Sequence, residues 1–187
     1  MNKGTVYVIH GFTATSKANW FPWLAVQGRS LGVSIKIPDL PASDDPHLAP
    51  WLDKIEEAVR EMDENTIFIG HSLGCITAIR YILRKGIKIK GAIFVSGFMG
   101  ENPMEVQKDG LSEFVHGEID VERVKSLIPK RVMLTATDDD IVPWAATKEM
   151  AQQLNCELMV LPAGGHFIDR DGFTEFPEVL RVLEKMI

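Results

Sequence analysis

The sequence has 187 residues, the usual size of one domain, and it is 45% hydrophobic and 25% charged, which suits an ordinary core and surface. Its formal net charge of -6 and pI of about 5.4 argue against a nucleic-acid-binding face, which requires clustered basic residues. No apolar run reaches the length of a membrane span, so we expect neither nucleic acid nor a membrane as a partner.

Six short apolar runs predict β-strands that are buried on both faces. Most of them are continuous hydrophobic segments, a pattern typical of parallel sheets whose two faces are covered by helices. The predicted strands are Val6–His10, Val33–Ile37, Thr66–Gly70, Gly91–Ser96, Arg131–Ala136 and Leu158–Pro162.

Helical patterns lie between these strands, where apolar residues recur at intervals of three and four. The predicted helices are Trp51–Met62, Leu73–Leu83, Thr147–Leu154 and Phe176–Ile187. Alternating strands and helices predict an α/β fold, a three-layer sandwich around a mostly parallel sheet of about six strands. Ligands of such sheets bind at the carboxyl ends of the strands.

One segment departs from the alternation. Gly97 to Lys130 is longer than a crossover between two strands requires, and it mixes glycines with large apolar residues. We therefore expect a loop or small helical cap inserted at about residues 97–130, within a single domain spanning residues 1–187.

A GxSxG motif, Gly70-His71-Ser72-Leu73-Gly74, carries the strongest functional signal. It directly follows a predicted buried strand and directly precedes a predicted helix, the setting of a nucleophile elbow. The serine of such an elbow occupies a strained, very tight turn in which bulky neighbours two residues away would collide. This setting predicts Ser72 as a nucleophile.

Backbone amides near this turn could stabilise an oxyanion. The Leu73 amide would lie at a helix N-terminus beside the serine. For a second donor we assign the Phe12 amide, with Thr13 as the alternative, in the loop that follows the first strand. The competing interpretation is that His10-Gly11 forms only a tight exit from that strand.

A general base is expected after the last strand. His166 lies there, and the preceding Gly164-Gly165 pair would let its loop bend the imidazole over the edge of the sheet. His47 and His116 lie in polar loops and are expected at the surface.

The acid is expected after the penultimate strand, where Asp138, Asp139 and Asp140 stand in a row. One alternative is an acidic turn that merely ends the strand. A metal site is another, but three consecutive carboxylates cannot all point at one ion, and no histidine is adjacent. The order serine, aspartate, histidine is the chain order of the α/β-hydrolase triad, and the order alone leaves the choice among the three aspartates open.

These motifs resemble the small serine hydrolases of the retinoblastoma-binding protein 9 and YdeN type, a compact branch of the α/β-hydrolases. The resemblance covers nearly the whole chain and rests on Val8–Phe12, Trp20–Leu24, Pro38–Pro41, Gly70–Gly74, Asp138–Trp144 and Gly165–Phe167. The family pattern D-x-x-V-P implies Asp139 as the acid. Asp140, directly beside it, departs from the pattern.

The resemblance implies a carboxylesterase-like serine hydrolase that cleaves small esters through an acyl-enzyme on Ser72 and uses no metal or cofactor. Five large residues that follow strand ends or catalytic loops are candidates for an apolar substrate pocket, although the core is the alternative for most of them. These residues are Phe12, Trp20, Phe98, Met99 and Trp144. The main rival is a non-catalytic protein-binding module on a hydrolase scaffold, and an acyltransferase or peptidase is a third possibility.

Two features favour a cytoplasmic location. Cys75 and Cys156 are far apart in the sequence and belong to no metal-binding pattern, which suits reduced thiols. The first predicted strand begins at Val6, so no signal peptide is expected before it.

Overall fold

The computed structural model describes residues 4–100 and 111–187. All six strands are parallel, in the order β2-β1-β3-β4-β5-β6. The strands are β1 (Thr5–Ile9), β2 (Ser34–Lys36), β3 (Ile67–His71), β4 (Gly91–Val95), β5 (Lys130–Ala136) and β6 (Glu157–Leu161). Each lies within one residue of its predicted bounds. The expected burial on both faces holds for the inner strands, whereas the edge strands β2 and β6 contain no buried residue, because each has a neighbouring strand on one side only.

The described residues contain seven α-helices and one short 3-10 turn at Asp169–Asp171. The helices are α1 (Phe21–Leu31), α2 (Leu48–Ala58), α3 (Leu73–Lys85), α4 (Ser112–Val115), α5 (Val121–Leu127), α6 (Trp144–Leu154) and α7 (Pro177–Met186). None of the helices in this part of the chain has the length and apolar character needed to cross a bilayer.

The sheet is packed on both faces, which confirms the predicted three-layer α/β sandwich. Side chains alternate along each strand: Val6 and Val8 of β1 face one apolar cluster, while Tyr7 and Ile9 face the other. Helices α1 and α7 complete the first cluster, and helices α2, α3 and α6 complete the second. The layers leave the carboxyl ends of the strands along one edge of the sheet, where the functional loops lie.

The helix α1 was not predicted, and its packing explains why. Gly28 interrupts the apolar pattern, yet a Cβ at this position would lie 2.5 Å from Cδ1 of Ile35 on β2. The glycine therefore lets the helix approach the edge strand closely, at the expense of helix propensity. Pro22 in the first turn fits a helix start, and Gly32 ends the helix in the left-handed conformation.

Two other helices begin earlier than predicted. Helix α2 starts at Leu48 and ends at Ala58, whereas the spacing of apolar residues indicated 51–62. Helix α6 starts at Trp144, directly after Pro143, three residues before the predicted start. In both cases the first turn is more exposed than the rest of the helix, so the apolar pattern does not report it.

The predicted insert at 97–130 lies partly outside the described residues, since residues 101–110 are not among them. Its described part contains the short helices α4 and α5, and these pack onto the second cluster through buried Phe114 and Val124. Arg80 of α3 fastens this part by donating hydrogen bonds to the carbonyl oxygens of Phe114 and His116, at 2.6 and 2.5 Å.

Candidate active site

Ser72 occupies the sharp turn between β3 and α3. Its backbone angles are φ 54° and ψ -126°, a conformation that a side chain seldom adopts. A Cβ on Gly74 would lie 2.0 Å from the carbonyl oxygen of Ile9, and one on Gly70 would lie 2.6 Å from Cα of Cys75. The two glycines of the motif are therefore required by close backbone approach, as the elbow interpretation predicts.

The serine opens onto a cavity of about 790 Å³ at the carboxyl edge of the sheet. Loops that follow β1, β5 and β6 form its walls together with the elbow. The apolar part of the lining comes from Phe12, Ala14, Ala18, Ile141, Pro143 and Ile168. Its polar part comes from Thr13, Asn19, His71, Ser72, Asp140, His166, Asp169 and Arg170.

His166 and Asp139 form a buried pair beside this cavity. Nδ1 of His166 lies 3.0 and 2.9 Å from the two carboxylate oxygens of Asp139. An ionised carboxylate only accepts hydrogen bonds, so Nδ1 carries the proton and the neutral ring keeps its lone pair on Nε2. That nitrogen is free to act as a base.

The acid is held ionised by its surroundings. Oδ1 of Asp139 also accepts hydrogen bonds from the amides of Ile141 and Val142, at 3.0 and 2.9 Å. Burial alone would raise the pKa of Asp139, but the hydrogen bond and charge of His166, with the Val142 amide, hold it below its ordinary value.

The other two aspartates point elsewhere. Oδ1 of Asp138 accepts hydrogen bonds from the amides of Gly164 and Gly165, both at 2.9 Å. Asp140 forms an exposed ion pair with Arg170, with 2.6 Å between Oδ1 and Nη2. Among the three consecutive carboxylates, Asp139 is therefore the one that the backbone directs at the imidazole.

The main chain of the base loop, residues 162–176 between β6 and α7, is also held by side chains. Asp171 accepts a hydrogen bond from the His166 amide at 2.8 Å, and Nε2 of His71 donates to the His166 carbonyl oxygen at 2.8 Å. Sequence reasoning did not assign these two residues, nor Asp138, a structural role. The polar run Asp169–Asp171, three residues beyond His166, was the available signal for Asp171.

The loop after β1 contains a free amide in a residue that lines the cavity. In the described part of the chain, the amides of Phe12 and Leu73 have no hydrogen-bond acceptor, whereas the Thr13 amide donates to the carbonyl oxygen of Ser43 at 2.6 Å. The geometry therefore favours the Phe12 amide over the Thr13 alternative. His10 donates from Nδ1 to the Gly11 carbonyl oxygen at 2.9 Å, which orients the peptide that carries this amide.

Of the five predicted pocket residues, Phe12 lines the cavity, and the other four are not among the described residues that line it. Trp20 and Phe98 are fully buried in the two core clusters, and Met99 packs against the second. Trp144 lies half-buried at the start of α6. Large apolar side chains at these strand ends contribute more by filling the core than by lining a solvated cavity.

Six lining residues were missed by the sequence reasoning. Ala14, Ala18 and Asn19 lie between β1 and α1, a helix that was not predicted, so no signal placed them at the cavity. Ile168, Asp169 and Arg170 lie two to four residues beyond the assigned base, and their place between the last strand and the last helix was a usable signal.

Comparisons with known proteins identify the family of this chain. The model of the serine hydrolase family matches residues 6–185. The chain is 37% identical to the hydrolase YdeN of Bacillus subtilis over 182 residues, 95% of this chain and 93% of YdeN. The crystal structure of the B. subtilis ydeN gene product superimposes with a TM-score of 0.92 and 34% identity, covering 98% of both chains.

A second curated relative is the serine hydrolase RBBP9 of Rattus norvegicus, which is 31% identical over 137 residues, 73% of this chain and 69% of RBBP9. A hydrolase of the alpha/beta superfamily from Xanthomonas campestris shares the fold at a TM-score of 0.71 and 18% identity, with both chains fully covered. The family match spans nearly all of the sequence and includes the elbow, the acid turn and the base loop. The chain therefore belongs to the serine hydrolase family.

Proposed function

We propose that this hydrolase cleaves small carboxylic esters through an acyl-enzyme on Ser72, with His166 as the base and Asp139 as the acid. One observation carries the proposal: a serine in an elbow conformation shares a cavity with a histidine whose Nδ1 is bound to a buried carboxylate. Such an arrangement serves nucleophilic catalysis by a hydroxyl group.

The chemistry follows from which atoms remain free. Asp139 occupies Nδ1 of His166, so Nε2 accepts the hydroxyl proton as Oγ of Ser72 attacks the ester carbonyl carbon. The free amides of Phe12 and Leu73 stabilise the negative charge that develops on the carbonyl oxygen. His166 then returns the proton to the departing alcohol, and a water molecule, activated in the same way, releases the carboxylic acid and regenerates the serine.

The cavity supports esters of short or medium length. Its volume of about 790 Å³ lies in the range of pockets for small molecules, roughly 300–1,000 Å³. No residue in the described part of the 97–130 insert is among its lining residues, so that part provides no lid over a long chain. We expect hydrolysis of p-nitrophenyl acetate and butyrate to exceed that of the palmitate ester, and the reverse order, with activation by lipid interfaces, would contradict this.

Labelling with a fluorophosphonate tests the nucleophile directly. We expect the wild-type protein to be labelled and to hydrolyse p-nitrophenyl acetate, Ser72→Ala to lose both properties, and His166→Ala to lose nearly as much, because triad members act as a unit. Ser30→Ala, at an exposed position of α1, is the control and is expected to match wild type.

The same experiment separates the enzyme from its rival. A non-catalytic binding module predicts that the wild-type protein is neither labelled nor active. Labelling that persists in folded Ser72→Ala would show that another residue is the nucleophile.

A further inference from the structure

The residue before the elbow serine links the elbow to the base loop. His71 is the last residue of β3, and its ring is 2% exposed. Its Nε2 lies 2.8 Å from the carbonyl oxygen of His166, and the two rings are 4.9 Å apart between centroids. Because a carbonyl oxygen only accepts hydrogen bonds, Nε2 of His71 carries the proton.

The second ring nitrogen of His71 makes no hydrogen bond within the described residues. The bond from Nε2 is therefore the feature that distinguishes histidine from an apolar residue at this position. Nδ1 is buried and has no hydrogen-bond partner in the described structure. The rings of Trp20 and Phe21 present their edges to the imidazole, with centroids 6.1 and 5.9 Å away. An apolar side chain could fill this space without leaving a buried acceptor unpaired, so packing alone does not account for the imidazole.

The ring remains a donor across the working pH range. Burial, followed by the charge that His166 acquires, lowers the pKa of His71 to about 3. The neutral ring has one N–H, and the carbonyl oxygen of His166 is its only hydrogen-bond partner in the described structure.

The other side chains that hydrogen-bond to residues 164–166 of the base loop come from the loop itself and from the turn after β5. Asp171 belongs to the loop itself, and Asp138 and Asp139 belong to the acid turn after β5. Of the side chains at positions 70–74, only that of His71 has a hydrogen bond to the base loop in the part of the chain described. Its backbone continues directly into Ser72.

We propose that His71 is a positioning residue that sets the distance between nucleophile and base by donating its Nε2 proton to the His166 carbonyl oxygen. This proposal rests on the proposed function of Ser72 and His166. It predicts that the hydrogen bond affects the chemical step more than substrate binding, because it acts on the separation of the two reacting groups.

Two substitutions of equal length test the proposal. The side-chain amide nitrogen of glutamine can occupy the place of the imidazole Nε2, whereas methionine fills similar space without a donor. For His71→Met we expect kcat on p-nitrophenyl acetate to fall roughly 10- to 100-fold, as a displaced catalytic group predicts, with KM within about twofold. For His71→Gln we expect most of the kcat to be kept.

The rate of fluorophosphonate labelling is expected to follow the same order, and thermal unfolding of each variant checks the fold. If His71→Met does not fold, His71→Asn replaces it, because its amide is too short to reach the carbonyl oxygen. The proposal would be overturned by a wild-type kcat in His71→Met or in its replacement, His71→Asn. It would also be overturned if His71→Gln lost as much kcat as His71→Met. Failure of the proposed function looks different, since the wild-type protein would then not be labelled, or Ser72→Ala would stay active.

Discussion

Replacing Asp139 by asparagine is the substitution whose outcome the structure defines most sharply. Oδ1 of Asp139 accepts hydrogen bonds from two backbone amides, those of Ile141 and Val142. In Asp139→Asn the amide oxygen must keep that place, because an NH2 group there would face two donors. The NH2 group then takes the place of Oδ2, the nearer oxygen, 2.9 Å from Nδ1 of His166. The retained oxygen stays 3.0 Å from Nδ1, but it already accepts two amide hydrogen bonds and cannot relieve the contact between the NH2 group and a protonated Nδ1.

This exchange reverses the hydrogen bond to the base. A donor now faces Nδ1 of His166, so the imidazole carries its proton on Nε2 and cannot accept one from Ser72. The equivalent change in a serine protease lowers turnover by about 10⁴, or roughly 5 kcal/mol of barrier. We expect a loss of about 10³ to 10⁴ here, because Asp138 and Asp140 are directed to other partners and do not substitute.

The measurement is kcat on p-nitrophenyl acetate for the asparagine variant at each of positions 138, 139 and 140, with thermal unfolding of each. Asp140→Asn breaks an exposed ion pair, a type of contact worth at most about 1 kcal/mol, and is expected to cost less than about tenfold. Asp138→Asn keeps an oxygen for both glycine amides, so the same limit applies. If either control is the most damaging variant, the assigned acid is wrong, and three near-wild-type variants would indicate a serine-histidine dyad.

Three further predictions concern stability and the thiol behind the elbow. Gly74→Ala places a Cβ 2.0 Å from the Ile9 carbonyl oxygen, so we expect a loss of several °C in Tm by calorimetry, and an unchanged Tm would contradict the elbow packing. The pKa of His71, about 3 in the fold against an ordinary 6.5, means that the unfolded chain binds this proton first as pH falls. The free energy of unfolding is therefore highest above pH 6.5 and decreases as the pH falls toward 3. Between pH 7 and 5 the decrease is about 2 kcal/mol. Urea unfolding at both pH values checks this, since His71→Gln is expected to lack that part of the dependence. Cys75→Ser keeps a donor for the Val95 carbonyl oxygen, and we expect kcat within about twofold of wild type; a folded but inactive variant would reveal an unassigned role for the thiol.

The fold could be predicted because buried strands appear in the sequence as runs of apolar residues. Inner strands covered on both faces are continuous apolar runs, and all six apolar runs of the sequence form strands in the structure. The apolar pattern becomes harder to recognise where close packing requires a small residue in place of a large apolar one. Gly28 of α1 is an example. Its close approach to Ile35 requires a glycine, and that glycine makes the segment resemble a loop in the sequence.

The chemical groups of the site could be predicted for a related reason. In a parallel sheet the carboxyl ends of the strands meet at one edge, so Ser72, the aspartates 138–140 and His166, which follow three strands, are expected together there. The direction of each side chain was not accessible in the same way. Consecutive aspartates at 138–140 have almost identical sequence surroundings, and only the path of the turn sends one of them to the imidazole.

The wall of the cavity depends on contacts between loops that are distant in the chain. Asn19 and Asp169, 150 residues apart, exchange two hydrogen bonds of 3.0 Å, each donated by the backbone amide of one residue to the side chain of the other. This pair joins the segment before α1 to the segment after the base. The side-chain oxygen of Asn19 is therefore used to hold the wall together. Both residues line the cavity, so the shape of its wall depends on a pairing of distant loops that strand-end motifs do not encode.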